Sequence, residues 1–422
     1  EKWGDFSVKS SIEFGFRGRK VDGSENKFRS DWNYKTGFRV FNSSFAMETE
    51  NRKGKLFDSV VVNSSGWGAD PSGVARVTIE KTGLYRLDSN VRRITYSNAL
   101  NNHALGQHSR NTKNKLGDFD LTIFPESRRL RFNLGYSYGR HKGPGFTNAR
   151  AYRDDFMTAM DTDARSNDFR GGARGELAGF RWSFTQGYRR FRDRSFLHLD
   201  APTIGNNPSD TTVFNLFSRK MPVNGESYFS IFDLTRNFAK RLDFTARIIY
   251  ADTKSHSRIE DRFNGRDNIN NFIDLDLYET AARAKRIQTR GDVGLTFRAT
   301  DAFTLSNTFS FDQFEINGFE TLTQTLTLRN SAGVAQPIKL TTSEAARTNH
   351  FRRYSNLFEG DYQFNNRVSF HAGYRYTRRM RTVDGYDLSI LSSNNPATVN
   401  NSLRQCPYTG TGIPNPLIFC ED

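Results

Sequence analysis

No run of 18 apolar residues occurs anywhere in this 422-residue sequence, so it offers no membrane-crossing helix. Methionine is scarce at five residues, and leucine and isoleucine are few, which argues against a helical bundle. Only 36% of residues are hydrophobic, and they come in short stretches, whereas a soluble protein of this size buries a thick aliphatic core. The zinc-protease and phosphate-loop signatures are missing. The seven histidines are scattered, and no Cys-x-x-Cys-His is present, so no c-type haem is expected on this chain. Neither an enzyme nor a cofactor-bearing chain is expected. Basic residues outnumber acidic ones by 61 to 46, but they fall singly along the chain, without a recognition helix or zinc-finger spacing. Nucleic acid is therefore not an expected partner.

What the sequence has in quantity is aromatic residues in alternation: 37 Phe and 16 Tyr. From Ser355 to Arg379, Phe358, Tyr362 and Phe364 are followed by Val368, Phe370, Ala372, Tyr374 and Tyr376, with polar residues between and Asn365-Asn366-Arg367 at the centre. Four further stretches repeat this pattern around Pro125–Arg128, Ala178-Gly179, Ala239-Lys240 and Ala299–Asp301. A period of two is the signature of a strand, and two such arms about a short turn make a hairpin. The hairpins are separated by long polar links, at 140–168, 193–225, 254–286, 315–348 and from 383 onward. Short turns at one end and long loops at the other are the pattern of outer-membrane barrels. A soluble β-sandwich alternates too, but the aromatic apolar face, the two classes of link and the heavily charged second face favour the membrane.

Towards the N-terminus a first strand reads through Phe6 to Phe16, and a second through Trp32 to Val40. The second turns at Asn42-Ser43 into a short third, and a fourth and fifth flank Lys81–Gly83. With the five hairpins this gives about fifteen strands. The expected fold is all-β: one large antiparallel transmembrane barrel over residues 1–422, in the outer membrane of a Gram-negative bacterium. An odd count leaves the strand ending at Arg379 without a successor, and the final residues lack an alternating aromatic strand. The chain therefore reads as the N-terminal part of a longer barrel.

The face opposite the aromatic residues is the candidate lumen wall. It carries Arg129, Arg131, Arg170, Arg174, Arg181, Arg189, Arg247, Arg298, Glu359, Asp361, His371 and Arg375. Such a lining fits a wide wet lumen, or one filled by a protein with a polar surface. Asp261, Asn264, Asp267, Asn268, Asn270, Asn271, Asp274 and Asp276 offer oxygen ligands for calcium, without the regular spacing of a calcium loop. Cys406 and Cys420 bracket a Pro/Gly stretch and suit one disulfide in an external loop, with free thiols or another partner as alternatives.

The segment Val21–Lys35, with Ser24, Asn26, Phe28, Trp32 and Tyr34, precedes a strand opening Gly37-Phe38-Arg39. Together they resemble the start of MtrB/PioB-type outer-membrane barrels. The resemblance implies a sheath around a periplasmic multihaem c-type cytochrome, which would carry electrons across the membrane, with haem on the partner alone. The alternative from the residues themselves is a porin or solute channel.

Overall fold

The computed structural model describes residues 1–50, 54–99, 109–239, 241–393 and 400–406, the side chains of 391–393 and 400–406 excepted. These residues form one sheet of eighteen strands. In chain order they are β1 (Lys2–Trp3), β2 (Phe6–Arg17), β3 (Gly37–Thr49), β4 (Ser59–Gly68), β5 (Ser72–Lys81), β6 (Tyr85–Asn98), β7 (Arg110–Ile123), β8 (Leu130–Ala151) and β9 (Asp154–Leu177). There follow β10 (Phe180–His198), β11 (Thr203–Ile204), β12 (Val213–Phe238), β13 (Leu242–Arg266), β14 (Phe272–Arg298), β15 (Phe303–Arg329), β16 (Lys339–Asn365), β17 (Val368–Ser393) and β18 (Asn400–Cys406). A helix, α1 (Glu25–Asp31), lies between β2 and β3, with Ser24 as its N-cap. Each strand pairs antiparallel with its chain neighbour; β11 is a fragment beside β12, so β10 also pairs with β12 directly.

Turn chemistry sets one end of the hairpins. Ala178 and Gly179 join β9 to β10 with φ of 51° and 77°, the two positive angles of a type I′ turn, whose twist matches its strands. Between β16 and β17, Asn365 Oδ1 accepts from the backbone N–H groups of Arg367 and Val368, closing the turn by side chain. Above these turns the alternation sorts residues by medium. In β13, Leu242, Phe244, Ala246, Ile248 and Tyr250 share one face, with Asp243, Thr245 and Arg247 on the other.

Past Tyr250 the same strand continues to Arg266 with polar residues on both faces, and its register with β14 is unbroken from Leu242 to Phe263. The links expected at 140–168, 193–225, 254–286 and 315–348 are thus mostly strand. Only Tyr152 and Arg153 separate β8 from β9, and 267–271 separate β13 from β14; 199–212 keeps loop length, with β11 inside it. The stretch from 383 likewise continues β17 as far as Ser393. A hydrophobic period appears only where the two faces of a strand meet different media. Where both are wet, backbone pairing continues without one.

Three N-terminal expectations are also corrected. β3 runs straight through Asn42 and Ser43 where a turn was expected, and Trp32 caps α1 instead of opening a strand. β4 occupies part of the expected link, because Val60, Val61 and Val62 stand side by side and show no alternation. The errors cancel in the count, since fifteen strands are ten residues or longer.

Among the described residues no ladder joins β2 to β17. β2 meets only the two residues of β1 on its outer edge, and β17 meets β18 only from Gly385 to Leu391. Every residue from Val368 to Thr382 is exposed, as on a strand with one free edge.

Candidate functional site

The apolar face forms a belt next to the short turns. In β13 it spans Leu242 to Tyr250, about 27 Å along the strand and about 20 Å of height at the usual ~40° tilt. Its upper rim is aromatic: Phe119, Tyr136, Phe169, Tyr188 and Tyr228 stand in one row across β7, β8, β9, β10 and β12. Ring centroids are 4.9 Å apart for Tyr136–Phe169 and 4.8 Å for Tyr188–Tyr228. The hydroxyls of Tyr136 and Tyr188 donate away from the belt to Asn167 and Glu226. Apolar rings with a wet tip are the composition of an interfacial girdle. Phe169 is 51% exposed and Tyr228 47%, so this face needs an apolar solvent. The chain is a large antiparallel outer-membrane β-barrel protein, and its belt meets lipid.

The opposite face gathers the candidate wall residues. Arg131, Arg174, Ser183, Asp233 and Arg247 form one row, each directly opposite the next. Glu176 and Arg181 pair in the next row, and the amide of Glu176 donates to the Arg129 carbonyl. On the far side of the sheet Asp361 stands opposite His371, and Leu357 opposite Arg375. Ion pairs tie down part of the set: Arg170–Asp120 at 3.3 Å, Arg189–Asp168 at 2.6 Å, Arg247–Asp233 at 3.4 Å, and Arg298 with Asp243. His371 lies 2.7 Å from Asp361 and 3.7 Å from Glu359.

Arg131, Arg174 and Arg181 differ from the rest. With Arg128, Glu176 and Asp233 they line a hollow of about 730 Å³ near the short turns, and none of the three makes an ion pair among the described residues. Arg131 and Arg174 are directly opposed, a like-charge pair that strand geometry disfavours. Unbalanced guanidinium groups in a shared concavity draw anions.

This face is not wholly polar. A Cβ at Gly187 would lie 2.1 Å from the ring of Phe229, and one at Gly225 2.1 Å from that of Phe191, so each ring lies flat over a neighbouring strand's glycine. At the end remote from the short turns the same face holds a buried core of Phe156, Leu197, Phe214, Phe217, Phe263 and Ile273. Phe156 and Phe214 lie 4.3 Å apart, and Phe217 and Phe263 4.9 Å. Sequence reasoning missed this core because its members lie in the supposed loops; Phe214, Phe217, Phe263 and Ile273 there were the available signal.

A buried carboxylate completes the outer end. Tyr152 Oη donates to Asp276 at 2.6 Å and Gln324 Nε2 at 2.8 Å. Burial pushes the Asp276 carboxyl above its ordinary value, and burial next to Asp276 pushes the Tyr278 hydroxyl up to about 12. The Tyr152 bond holds a turn in which Tyr152 and Arg153 both take positive φ, 48° and 70°, a conformation costly for side-chain-bearing residues. Asp154 accepts from the Asn207 amide at 3.0 Å, so the 199–212 link is pinned to the same hairpin.

Other sequence features are absorbed structurally. In the Asp/Asn-rich stretch, Asp261 pairs with Arg219, Asp274 with Arg329, and Asp267 accepts from Ile269 and Asn271 within its own turn. Among the described residues no three His, Cys, Asp or Glu side chains converge as a metal site. Gly135-Tyr136-Ser137-Tyr138-Gly139 spells a nucleophile-elbow motif, yet it lies inside β8 instead of at a strand-to-helix turn. Its Ser137 hydroxyl accepts from Arg170. The Cys406–Cys420 pairing lies outside the described residues.

No family model matches the chain, and no curated protein matches it. Among solved structures it is similar to the ferric yersiniabactin uptake receptor FyuA of Yersinia pestis, at 11% identity over 84% of this chain and 72% of that one, with a TM-score of 0.38. It is also similar to the copper transporter OprC, at 10% identity over 94% of this chain and 75% of that one, with a TM-score of 0.37.

Proposed function

We propose that the sheet is the wall of a wide, water-filled barrel that passes polar, preferentially anionic solutes across the outer membrane. The observation that carries this reading is the hollow on the face opposite the lipid belt, where Arg128, Arg131, Arg174 and Arg181 outnumber the carboxylates of Glu176 and Asp233. In a lumen bounded by low-dielectric wall, such charges raise the local anion concentration and bias conduction. The aromatic core at the outer end narrows the mouth on the β8–β14 side. The described strands form one wall, in which β2 and β17 are not paired with each other. Fourteen antiparallel steps separate these two strands, so they run in the same direction.

The experiment is conductance in a planar bilayer with the full chain. Stable, anion-selective channels are expected, with selectivity falling in the triple Arg→Gln variant at positions 131, 174 and 181. A silent bilayer with a verified inserted protein contradicts a channel.

A second reading, a sheath around a multihaem c-type cytochrome, is favoured by the resemblance of Val21–Lys35 to MtrB/PioB-type barrels. The stacked pair Phe314–Phe351, at 4.8 Å on the polar face, offers apolar contact to a protein filling the lumen. Co-purification of a haem protein, with conduction only after its removal, selects this reading.

A further inference from the structure

The strands of this sheet continue far past the girdle, and their lipid-side face changes character there. Four residues above Tyr250 in β13 comes Lys254, then His256. In β14 the same face carries Lys285 and Arg283, and in β15 Asn317 and Phe319. The register sets Lys254 directly opposite Lys285, His256 opposite Arg283, and Lys285 opposite Asn317. These six side chains line a depression of about 420 Å³. It lies roughly 13 Å along the strand above the rim of the belt, at the level of the outer-leaflet headgroups.

Basic side chains outnumber acidic ones around it, although Glu226 of β12 stands directly opposite Lys254. Directly opposed lysines on neighbouring strands repel. Asp252 Oδ2 lies 3.7 Å from Lys285, while Lys254 and Arg283 make no ion pair among the described residues. The Arg283 guanidinium lies 4.8 Å from the centre of the Phe319 ring, a stacking that holds its plane and leaves its edge N–H groups free. Planar donors beside two point charges are the donor set of a phosphate site. The same outward face carries Arg190, Arg192, Arg352 and Arg378 on other strands above the girdle, interspersed with Glu226 and Glu315.

We propose that this depression binds the phosphorylated headgroup of an outer-leaflet glycolipid. The ligand is a lipid, not free phosphate, because the site continues upward from the lipid belt: acyl chains against Ile248 and Tyr250 bring a headgroup to Lys254 and Arg283. The inference rests on the membrane placement of the belt but not on what the lumen carries.

The test uses the full chain reconstituted in neutral phosphatidylcholine vesicles with added bisphosphorylated lipid A, dephosphorylated lipid A, or inorganic phosphate alone. Insertion is scored separately by protease protection. Native mass spectrometry should show retained bisphosphorylated lipid A, with little dephosphorylated lipid and no retained inorganic phosphate. The triple variant Lys254→Gln, Arg283→Gln, Lys285→Gln should lower retention about a hundredfold, each basic side chain near an anionic surface being worth roughly fivefold. Arg131→Gln, on the opposite face, should leave retention unchanged. Equal retention of both lipid A forms by an inserted barrel, equal retention by the triple variant, or capture of inorganic phosphate alone would overturn the proposal. A chain that fails to insert removes the membrane placement, and the proposal with it.

Discussion

Two halves of a single strand show what alternation reports. In β13, residues 242–250 and 251–266 have the same backbone, the same partners and the same unbroken pairing through Phe263. The lower half alternates Leu242, Phe244, Ala246, Ile248 and Tyr250 with polar residues; the upper half puts Asp252, Lys254 and His256 where the aromatic and aliphatic side chains had been. Nothing in the backbone changes at Tyr250. What changes is the solvent outside, from hydrocarbon to water and headgroups. The upper half then finds its apolar burial on the other face, where Phe263 joins Phe156, Phe214 and Phe217. The sheet is thus stabilised by lipid at one end and by a protein core at the other.

Substitutions can break each half separately. The largest effect is expected from Phe214→Ala, which removes a fully buried ring and should cost the outer end about 3–5 kcal/mol. Hydrogen exchange should accelerate across 199–212 and 267–271, while membrane insertion stays normal. Next comes Phe132→Arg in the belt, with a cost of about 2–4 kcal/mol near the bilayer midplane. Phe132→Asp and Tyr374→Asp should act in the same direction, and less. The yield of heat-modifiable, membrane-assembled protein should fall, whereas Arg258→Glu, above the girdle, should not lower it. Unchanged yields for all three belt variants would count against the assigned lipid face.

A pH effect is expected in the outer half. Burial raises the Asp276 carboxyl above its value in the unfolded chain. Between the ordinary carboxylate range and that raised value the folded form holds a proton the unfolded form lacks, so stability falls as pH rises through this window. Exchange protection around Tyr152 should therefore strengthen on acidification, and Asp276→Asn should flatten the dependence. The smallest effect is expected at the wall. Charge reversal at Arg131 or Arg375 should leave insertion within about 0.5 kcal/mol of the parent, as for other partly exposed positions, while shifting ion selectivity at Arg131.

Legibility in the sequence followed the same division. The belt strands could be read because lipid and water face each other across them, as at Phe180, Trp182 and Phe184 in β10. The upper halves of β12 to β16 could not, since both of their faces are wet or their apolar residues pack singly. Val60, Val61 and Val62 hid β4 by being consecutive, and Phe38 to Met47 looked interrupted at Asn42-Ser43 because both faces are polar there. The wall residues Arg131, Arg174 and Arg181 follow from parity alone. Which of them form no ion pair does not, since the partners of the others, such as Asp120 and Asp168, come from neighbouring strands in register. The basic depression above the girdle needed the registers of β13 with β14 and of β14 with β15 together.

The central claim is that the medium changes at Tyr250 while the strand does not. Spin labels placed singly at positions 244 to 258 of β13, in a background with Cys406 and Cys420 replaced by serine, test it through oxygen and nickel-chelate accessibility in liposomes. The account predicts that oxygen access is high at 244, 246 and 248 and low at 245 and 247, with the alternation lost beyond 252, where the chelate reaches 254, 256 and 258. Lipid-like access at 254 to 258, or water-like access throughout 244 to 250, would contradict it.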